Sequence, residues 1–149
     1  MTGKVFVDTN VLVYAYDRSE RRKQLWAVEM LDELVAQRAG VMSAQVLGEF
    51  YNAVTRRIAS PLTPEQAYER IKNLVMAWPV LEIAPLIVLE AARGAYQHQM
   101  RIWDAQIWAT ARLNQIPVIL SEDFQDGAVI EGIRIVDPFR AGFALGDWI

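Results

Sequence analysis

The chain of 149 residues contains no cysteine and a single histidine. The absence of cysteine excludes disulfide bonds, metal sites built on thiolates and thiol nucleophiles, and it agrees with a reducing compartment. The one histidine, His98, lies in the polar helix end AYQHQMR with no partner motif, so we interpret it as a surface or structural residue. Because the chain has no cysteine, nucleophilic catalysis through sulfur is excluded.

The sequence also lacks an excess of basic residues and a long apolar run. Its formal net charge is −3 and its pI is about 5.2, so any polyanion would have to be held by local basic groups or bound cations. No apolar stretch reaches the roughly 20 residues that cross a bilayer, and the first residues do not resemble a signal peptide. With 53% hydrophobic residues and no repeat, linker or low-complexity segment, the sequence predicts one soluble, cytoplasmic domain over residues 1–149.

Short apolar runs alternate with longer helical patterns along the chain. The predicted strands are Val5–Val7, Val41–Ser43, Val80–Ile83, Val118–Leu120 and Ile133–Val136. The predicted helices are Glu20–Arg38, Ala44–Ile58, a segment that starts at Pro64 behind the N-cap Thr63, and the segments APLIVLEAARGAYQHQ and IWDAQIWATARLNQ. The first of them is amphipathic, and its apolar face is formed by Leu25, Val28, Leu31, Leu34 and Val35. Such alternation predicts an α/β fold whose mostly parallel sheet has about five strands and helices on both faces.

Five acidic residues stand where such a fold would gather them. Asp8 ends the first strand, and Asp123 follows the fourth, with Asp126 three residues further on. Glu49 lies in the helix after the second strand, near its apolar face, and Asp104 lies in the first turn of an almost wholly apolar helix. Because sites in parallel sheets form beyond the carboxyl ends of the strands, we expect these acids to converge.

Each acid also has an ordinary structural interpretation. Asp8 can cap the helix that we expect to begin at Val11, and Asp104 can complement a helix dipole. Glu49 can extend to solvent, while Asp123 and Asp126 can be turn residues. These ordinary roles explain each acid alone but not the whole group, because carboxylates gathered without a counter-charge repel one another and take up protons.

A divalent cation would resolve that repulsion. Mg²⁺ and Mn²⁺ are hard ions that prefer oxygen ligands, so an acidic cluster suits them. Such ions activate water and stabilise a leaving oxygen, and phosphodiester hydrolysis then needs no covalent protein nucleophile. The acids therefore favour a metal-dependent nuclease.

The motifs together resemble the PIN domain family of metal-dependent ribonucleases, most closely the VapC-type toxins of bacterial toxin–antitoxin pairs. The resemblance is carried by VFVDTNVLVYAYD at the start, Glu49, WDAQIWATA around Asp104, ILSEDFQDG with Asp123, and GIRIVDPF near the end. It covers essentially the whole chain. It implies a three-layer α/β/α sandwich that carries a Mg²⁺ or Mn²⁺ site built from acids.

Carried onto this sequence, the resemblance assigns roles to single residues. Catalysis and metal binding would fall to Asp8, Glu49, Asp104 and Asp123. Asp126 is an alternative fourth ligand, since many relatives have Asn where Asp123 falls and Asp where Asp126 falls. Thr9, Asn10 and Ser121 would support the site, with Thr9 or Ser121 holding a carboxylate or water by its hydroxyl.

The resemblance also implies an RNA substrate, a cognate VapB-like antitoxin and a homodimer, with no membrane partner. Local basic residues would then contact phosphates, which makes binding dependent on salt. The candidates are Arg18, Arg21, Arg22, Lys23, Arg56, Arg57 and Arg101, although Arg21–Lys23 can equally be a solvated helix face.

Three other functions stay open at this point. A haloacid-dehalogenase-like phosphatase also begins with a strand that ends in Asp, but it needs a second acid where this chain has Asn10. A non-catalytic RNA-binding or regulatory protein could use the same fold, although it would not need to keep all four carboxylates. A nuclease of this fold could instead act in RNA processing or cut DNA, because no motif reads a 2′-hydroxyl.

Overall fold

The computed structural model describes residues 3–149. Over that range the chain forms six β-strands and six α-helices. The strands are β1 (Val5–Val7), β2 (Gly40–Ser43), β3 (Val80–Leu81), β4 (Val118–Leu120), β5 (Val129–Ile130) and β6 (Ile133–Val136). The helices are α1 (Thr9–Tyr14), α2 (Arg21–Ala36), α3 (Ala44–Arg56), α4 (Pro64–Ala77), α5 (Pro85–His98) and α6 (Ile102–Leu113).

The strands form one sheet in the order β3-β2-β1-β4-β6-β5. All neighbours are parallel except β5 and β6. Strands β1, β2 and β4 are buried throughout, which explains their continuous apolar sequences. The predicted α/β fold with a mostly parallel sheet is therefore confirmed.

The sixth strand was not predicted. Strand β5 has only two residues and pairs with β6 through a tight hairpin, in which Ile130 faces Ile133. The two loop residues Glu131 and Gly132 both have positive φ angles, of 47° and 85°. Such a turn matches the twist of an antiparallel pair, but two residues are too few to show a period in the sequence.

Helix α2 buries a different face from the one that its leucine and valine spacing suggested. Leu25, Val28 and Val35 are exposed, whereas Ala27, Met30, Leu31 and Leu34 are buried. The buried stripe is thus rotated toward Ala27 and Met30, and the predicted pattern was correct only for Leu31 and Leu34. Within residues 3–149, no helix has the length and apolar character needed to cross a bilayer.

Candidate active site at the carboxyl end of the sheet

An open cavity of about 560 Å³ lies beyond the carboxyl ends of β1 and β4. Its wall contains most of the residues that the sequence singled out, namely Asp8, Thr9, Asn10, Glu49, Arg101, Asp104 and Asp123. The residues converge because β1 lies between its parallel neighbours β2 and β4, so the segments that follow these three strands all begin at the same edge of the sheet. The expectation that four acids share one site in space agrees with this arrangement.

Asp8 is the most buried of the acids, with 5% of its surface exposed. Its Oδ1 accepts a hydrogen bond from the backbone N–H of Thr9 at 2.7 Å, so Asp8 is the N-cap of α1, which begins at Thr9 rather than at Val11. Its Oδ2 accepts from Ser121 Oγ at 2.7 Å and from Asn10 Nδ2 at 3.2 Å. Capping and membership of the cavity are therefore both properties of this carboxylate.

The pKa of Asp8 is raised from its ordinary 3.8 to about 7. Burial is the main cause, because it disfavours the charged form. The hydrogen bonds from Ser121 and Thr9 act in the opposite direction, and the negative charges of Asp123 and Glu49 raise the pKa further. The protein thus holds a carboxylate for which its own groups provide too little positive charge.

Glu49 is half-buried and is held from two sides. Thr9 donates from Oγ1 to Glu49 Oε1 at 2.7 Å. Gln45 Nε2 lies 3.4 Å from Glu49 Oε2, and Gln45 Oε1 accepts from Gln106 Nε2 at 2.8 Å. The chain of amides joins α3 to α6, which are the helices that carry Glu49 and Asp104.

Asp104 and Asp123 line the cavity nearer to solvent. Asp104 lies in the first turn of α6, with Arg101 Nε 3.4 Å from its Oδ2. Asp123 is exposed, and its backbone N–H donates to Ser121 Oγ at 3.1 Å. Ser121 therefore contacts Asp8 through its hydroxyl proton and fixes the loop of Asp123 through its lone pair.

Asp126 does not line the cavity. Its Oδ1 accepts from the backbone N–H of Asp137 at 2.8 Å, and its Oδ2 lies 3.4 Å from Arg140 Nε. These contacts hold the loop between β4 and β5 against the segment after β6. Of the two candidates for the fourth acid, the structure brings Asp123 to the cavity and leaves Asp126 outside it.

The basic residues predicted to bind RNA are mostly elsewhere. Among the seven candidates, all in the described part of the chain, only Arg57 and Arg101 line the cavity. Arg21, Arg22 and Arg56 are exposed away from it. Arg57, rather than its neighbour Arg56, faces the cavity. Helical spacing explains the difference, since consecutive residues point about 100° apart around α3.

Lys23 lies at the rim, where it forms an ion pair with Glu122. The Lys23 Nζ to Glu122 Oε2 distance is 2.5 Å, and Tyr14 Oη donates to Glu122 Oε1 at 2.6 Å. Glu122 also donates its backbone N–H to Asn10 Oδ1 at 3.0 Å. This cluster fixes the residue before Asp123, and it combines three segments too distant in sequence for a motif to reveal.

Sequence reasoning missed the two glutamines Gln45 and Gln106, Tyr14 and Glu122. One signal was present for Gln106, which is a polar residue in a run of seven buried positions of α6. A buried amide requires hydrogen-bond partners, and that requirement points to a network around it. Gln45, Tyr14 and Glu122 carry no comparable signal, because they are half-buried and form hydrogen bonds with residues that lie 61 or 108 positions away in the sequence.

The residues of the cavity fit a hard divalent cation by their chemistry. All four acids offer oxygen donors, and the raised pKa of Asp8 indicates a buried carboxylate that lacks a positive partner. Within residues 3–149, no three acidic or histidine side chains already stand in a metal-binding arrangement. Asp8 is buried, Glu49 and Asp104 are half-buried, and Asp123 is exposed, so the four possible ligands line the cavity at different depths.

Comparison with known proteins places the chain in a family. The profile of the PIN domain matches residues 5–125, so the chain belongs to the PIN domain family. A sequence comparison with curated proteins found no significant match.

Solved structures with a similar fold include three from bacteria. VapC20 of Mycobacterium tuberculosis, described as a sarcin-ricin loop cleaving toxin, is 20% identical with a TM-score of 0.64, covering 86% of this chain and 98% of its own. A toxin–antitoxin complex from Klebsiella pneumoniae is 20% identical with a TM-score of 0.64, and the match covers 91% of this chain and 98% of the other. DNA-bound VapBC from Salmonella typhimurium is 18% identical with a TM-score of 0.63, and the match covers 90% of this chain and 97% of the other. At these identities the similarity shows a shared fold.

Proposed function

We propose that the protein is a metal-dependent endoribonuclease that hydrolyses phosphodiester bonds of RNA and serves as the toxin of a VapBC-type pair. One observation carries the proposal: Asp8 is buried, its pKa is raised to about 7, and Glu49, Asp104 and Asp123 line the same cavity. A divalent cation would offset this charge, and membership of the PIN family supports nuclease chemistry. The fold shared with VapC20 supports RNA as the substrate.

Asp8, Glu49, Asp104 and Asp123 would hold Mg²⁺ or Mn²⁺. Bound there, the ion would supply charge stabilisation at a phosphoryl oxygen and activation of the attacking water. Thr9 keeps Glu49 in place through its 2.7 Å hydrogen bond, and Ser121 does the same for Asp8. The hydrogen bond from Ser121 favours the ionised form of Asp8.

Arg57 and Arg101 provide the positive charge that an RNA phosphate needs in this acidic cavity. Both line it, and the Arg101 side chain is 83% exposed. Because the protein has a net charge of −3, phosphate contacts would depend on these local cations and on the bound metal. The resulting affinity should fall steeply as salt is added.

A VapB-like antitoxin and a second copy of the chain are the proposed protein partners. The complexes from Klebsiella pneumoniae and Salmonella typhimurium support the antitoxin, since each has the same fold in a toxin–antitoxin assembly. The homodimer rests on the resemblance to VapC toxins. Co-purification from the native host and light scattering of the isolated chain would test the two partners separately.

The deciding experiment is cleavage of a labelled total RNA pool by the purified protein in Mg²⁺, in Mn²⁺ and in EDTA. We expect discrete cuts that need the metal and that disappear in Asp8→Asn. A Gln97→Ala variant, altered on an exposed surface of α5, is the control and should cut like the wild type. No cleavage by antitoxin-free protein would contradict the nuclease proposal, and RNA binding without cleavage would favour a non-catalytic RNA-binding protein.

A further inference from the structure

Trp103 differs from the other tryptophans of the chain. All five lie within the described residues, and Trp26, Trp78, Trp108 and Trp148 are buried or half-buried. Trp103 has 61% of its surface exposed, and it lines the cavity beside Asp104. Its exposure leaves a large aromatic face at the wall of a polar cavity, where the ring can contact a ligand.

The backbone that carries this ring is fixed. Gln45 Nε2 donates to the carbonyl oxygen of Trp103 at 3.0 Å, and the N–H of Ala105 donates to Arg101 O at 2.8 Å. Trp103 is also in the first turn of α6, whose following residues Ala105–Ala111 are all buried. The indole is thus held at a defined place while its surface stays available.

Two arginine residues line the same cavity as the Trp103 ring. Arg101 precedes it by two residues, and Arg57 lines the same cavity. An aromatic face beside guanidinium groups suits a nucleotide, since the base stacks on the ring and the phosphate binds the cation. A base can reach the ring only if it has left the helical stack, because bases of a duplex are covered on both faces.

We propose that Trp103 is the stacking platform for one unpaired base of the RNA next to the phosphodiester that is cut. This inference rests on the proposed nuclease function and adds a residue that selects the substrate, because a base can stack on Trp103 in single-stranded or looped RNA but not in a continuous duplex. Trp103 contacts the substrate and selects it, whereas the acids perform the hydrolysis. Stacking tolerates any base, so the platform selects unpaired structure more than sequence.

The test measures binding of a fluorescent single-stranded oligoribonucleotide and of a blunt duplex of equal length, in Mg²⁺ and at fixed salt. Asp8→Asn serves as the background so that the RNA stays intact. We expect single strands to bind more tightly than duplexes. Adding Trp103→Leu should weaken single-strand binding by about 5- to 150-fold, leave duplex binding unchanged, and be largely rescued by Trp103→Phe.

Tyr96→Leu is the matched control. Tyr96 is 81% exposed on α5 but does not line the cavity, so its loss should leave binding unchanged. In the otherwise unaltered enzyme, Trp103→Leu should raise the KM for a hairpin cut in its loop and change kcat little. Circular dichroism and melting temperature confirm that each variant folds.

Several outcomes would overturn the inference. Equal binding of single strands by Trp103→Leu and its parent would do so, as would tighter binding of duplexes than of single strands. A Trp103→Leu protein that binds RNA normally but loses its antitoxin would assign the ring to a protein partner instead. If no RNA binds, the inference fails, and the cleavage assay on total RNA then decides separately whether the nuclease proposal survives.

Discussion

Ser121 donates a hydrogen bond from its hydroxyl to the Oδ2 of Asp8 at 2.7 Å, and the two residues follow adjacent parallel strands. The bond therefore forms where β1 and β4 both end. It lowers the pKa of Asp8, while burial has the larger opposite effect and brings the pKa to about 7. The balance leaves a carboxylate that is only partly ionised near neutral pH without a cation.

The first prediction concerns the pH dependence of stability without metal. The folded pKa of Asp8, about 7, lies above its ordinary value of 3.8. The folded state therefore holds a proton that the unfolded state has released, and this contribution is present in full below pH 4 and lost as pH rises through 7. Urea unfolding in EDTA should show stability falling between pH 5 and 8, by at most about 3 kcal/mol.

Asp8→Asn provides the control for that slope, because an amide does not titrate. The variant should lack the decline and should equal or exceed the wild type in stability at pH 8 in EDTA. Adding Mg²⁺ or Mn²⁺ should raise the melting temperature of the wild type more at pH 8 than at pH 6, since metal and proton compete for the same carboxylates. A wild-type slope identical to that of Asp8→Asn would contradict the assigned pKa.

The second prediction concerns the hydroxyl of Thr9. Thr9→Val keeps the shape of the side chain but removes the donor to Glu49, and we expect RNA cleavage to fall about 10- to 100-fold. Metal titrations of activity should shift to higher concentration, because Glu49 would lose its fixed position. Thr9→Ser keeps the hydroxyl and should retain most of the activity. Loss of activity in Thr9→Ser but not in Thr9→Val would mean that the methyl group, and not the hydrogen bond, matters.

How much of the fold can be predicted from the sequence depends on whether each feature is set by neighbouring residues or by contacts between distant ones. Strands β1, β4 and β6 were predicted with the observed bounds, because apolar runs between polar residues are local signals. The short β5 and the rotated face of α2 were missed. A two-residue strand has no period, and the sequence does not show which of several apolar residues of α2 faces the sheet.

The same difference between local and long-range signals applies to the residues that line the cavity. Asp8 and Asp104 could be predicted because a charge stands out against an apolar run, whereas the hydrogen bonds of Ser121 and Gln106 join residues 61 or more positions apart. Asp123 and Asp126 show the limit most clearly. Both follow β4 and both are acidic, so only the course of the loop decides which one faces the cavity.

The third prediction uses that pair of aspartates. Asp123→Asn should reduce RNA cleavage at least tenfold, because its carboxylate lines the cavity with the other acids. Asp126→Asn should leave cleavage unchanged, since the amide oxygen can still accept the bond from the N–H of Asp137. Its lost ion pair with Arg140 is exposed and should cost less than about 1 kcal/mol. Loss of activity in Asp126→Asn alone would reverse the assignment.

The last prediction concerns the packing that positions α6 and hence Asp104. A Cβ added at Gly94 of α5 would lie 2.5 Å from Cζ3 of the buried Trp108 and 3.0 Å from Cε of Met100. Such contacts are too short, so Gly94→Ala must displace the indole or separate α5 from α6. We expect the free energy of unfolding to fall by about 1–3 kcal/mol in a denaturant titration.

Gly48 provides the matched control, because it lies on α3 directly before Glu49 and a Cβ there would meet nothing within 4 Å. Gly48→Ala should therefore stabilise the protein by up to about 1 kcal/mol and preserve cleavage. Gly94→Ala should lower cleavage even at temperatures where it is fully folded, because a shift of α6 moves Asp104 relative to Asp8. Full activity in folded Gly94→Ala would mean that the start of α6 is held independently of Trp108, through Gln45 and Gln106.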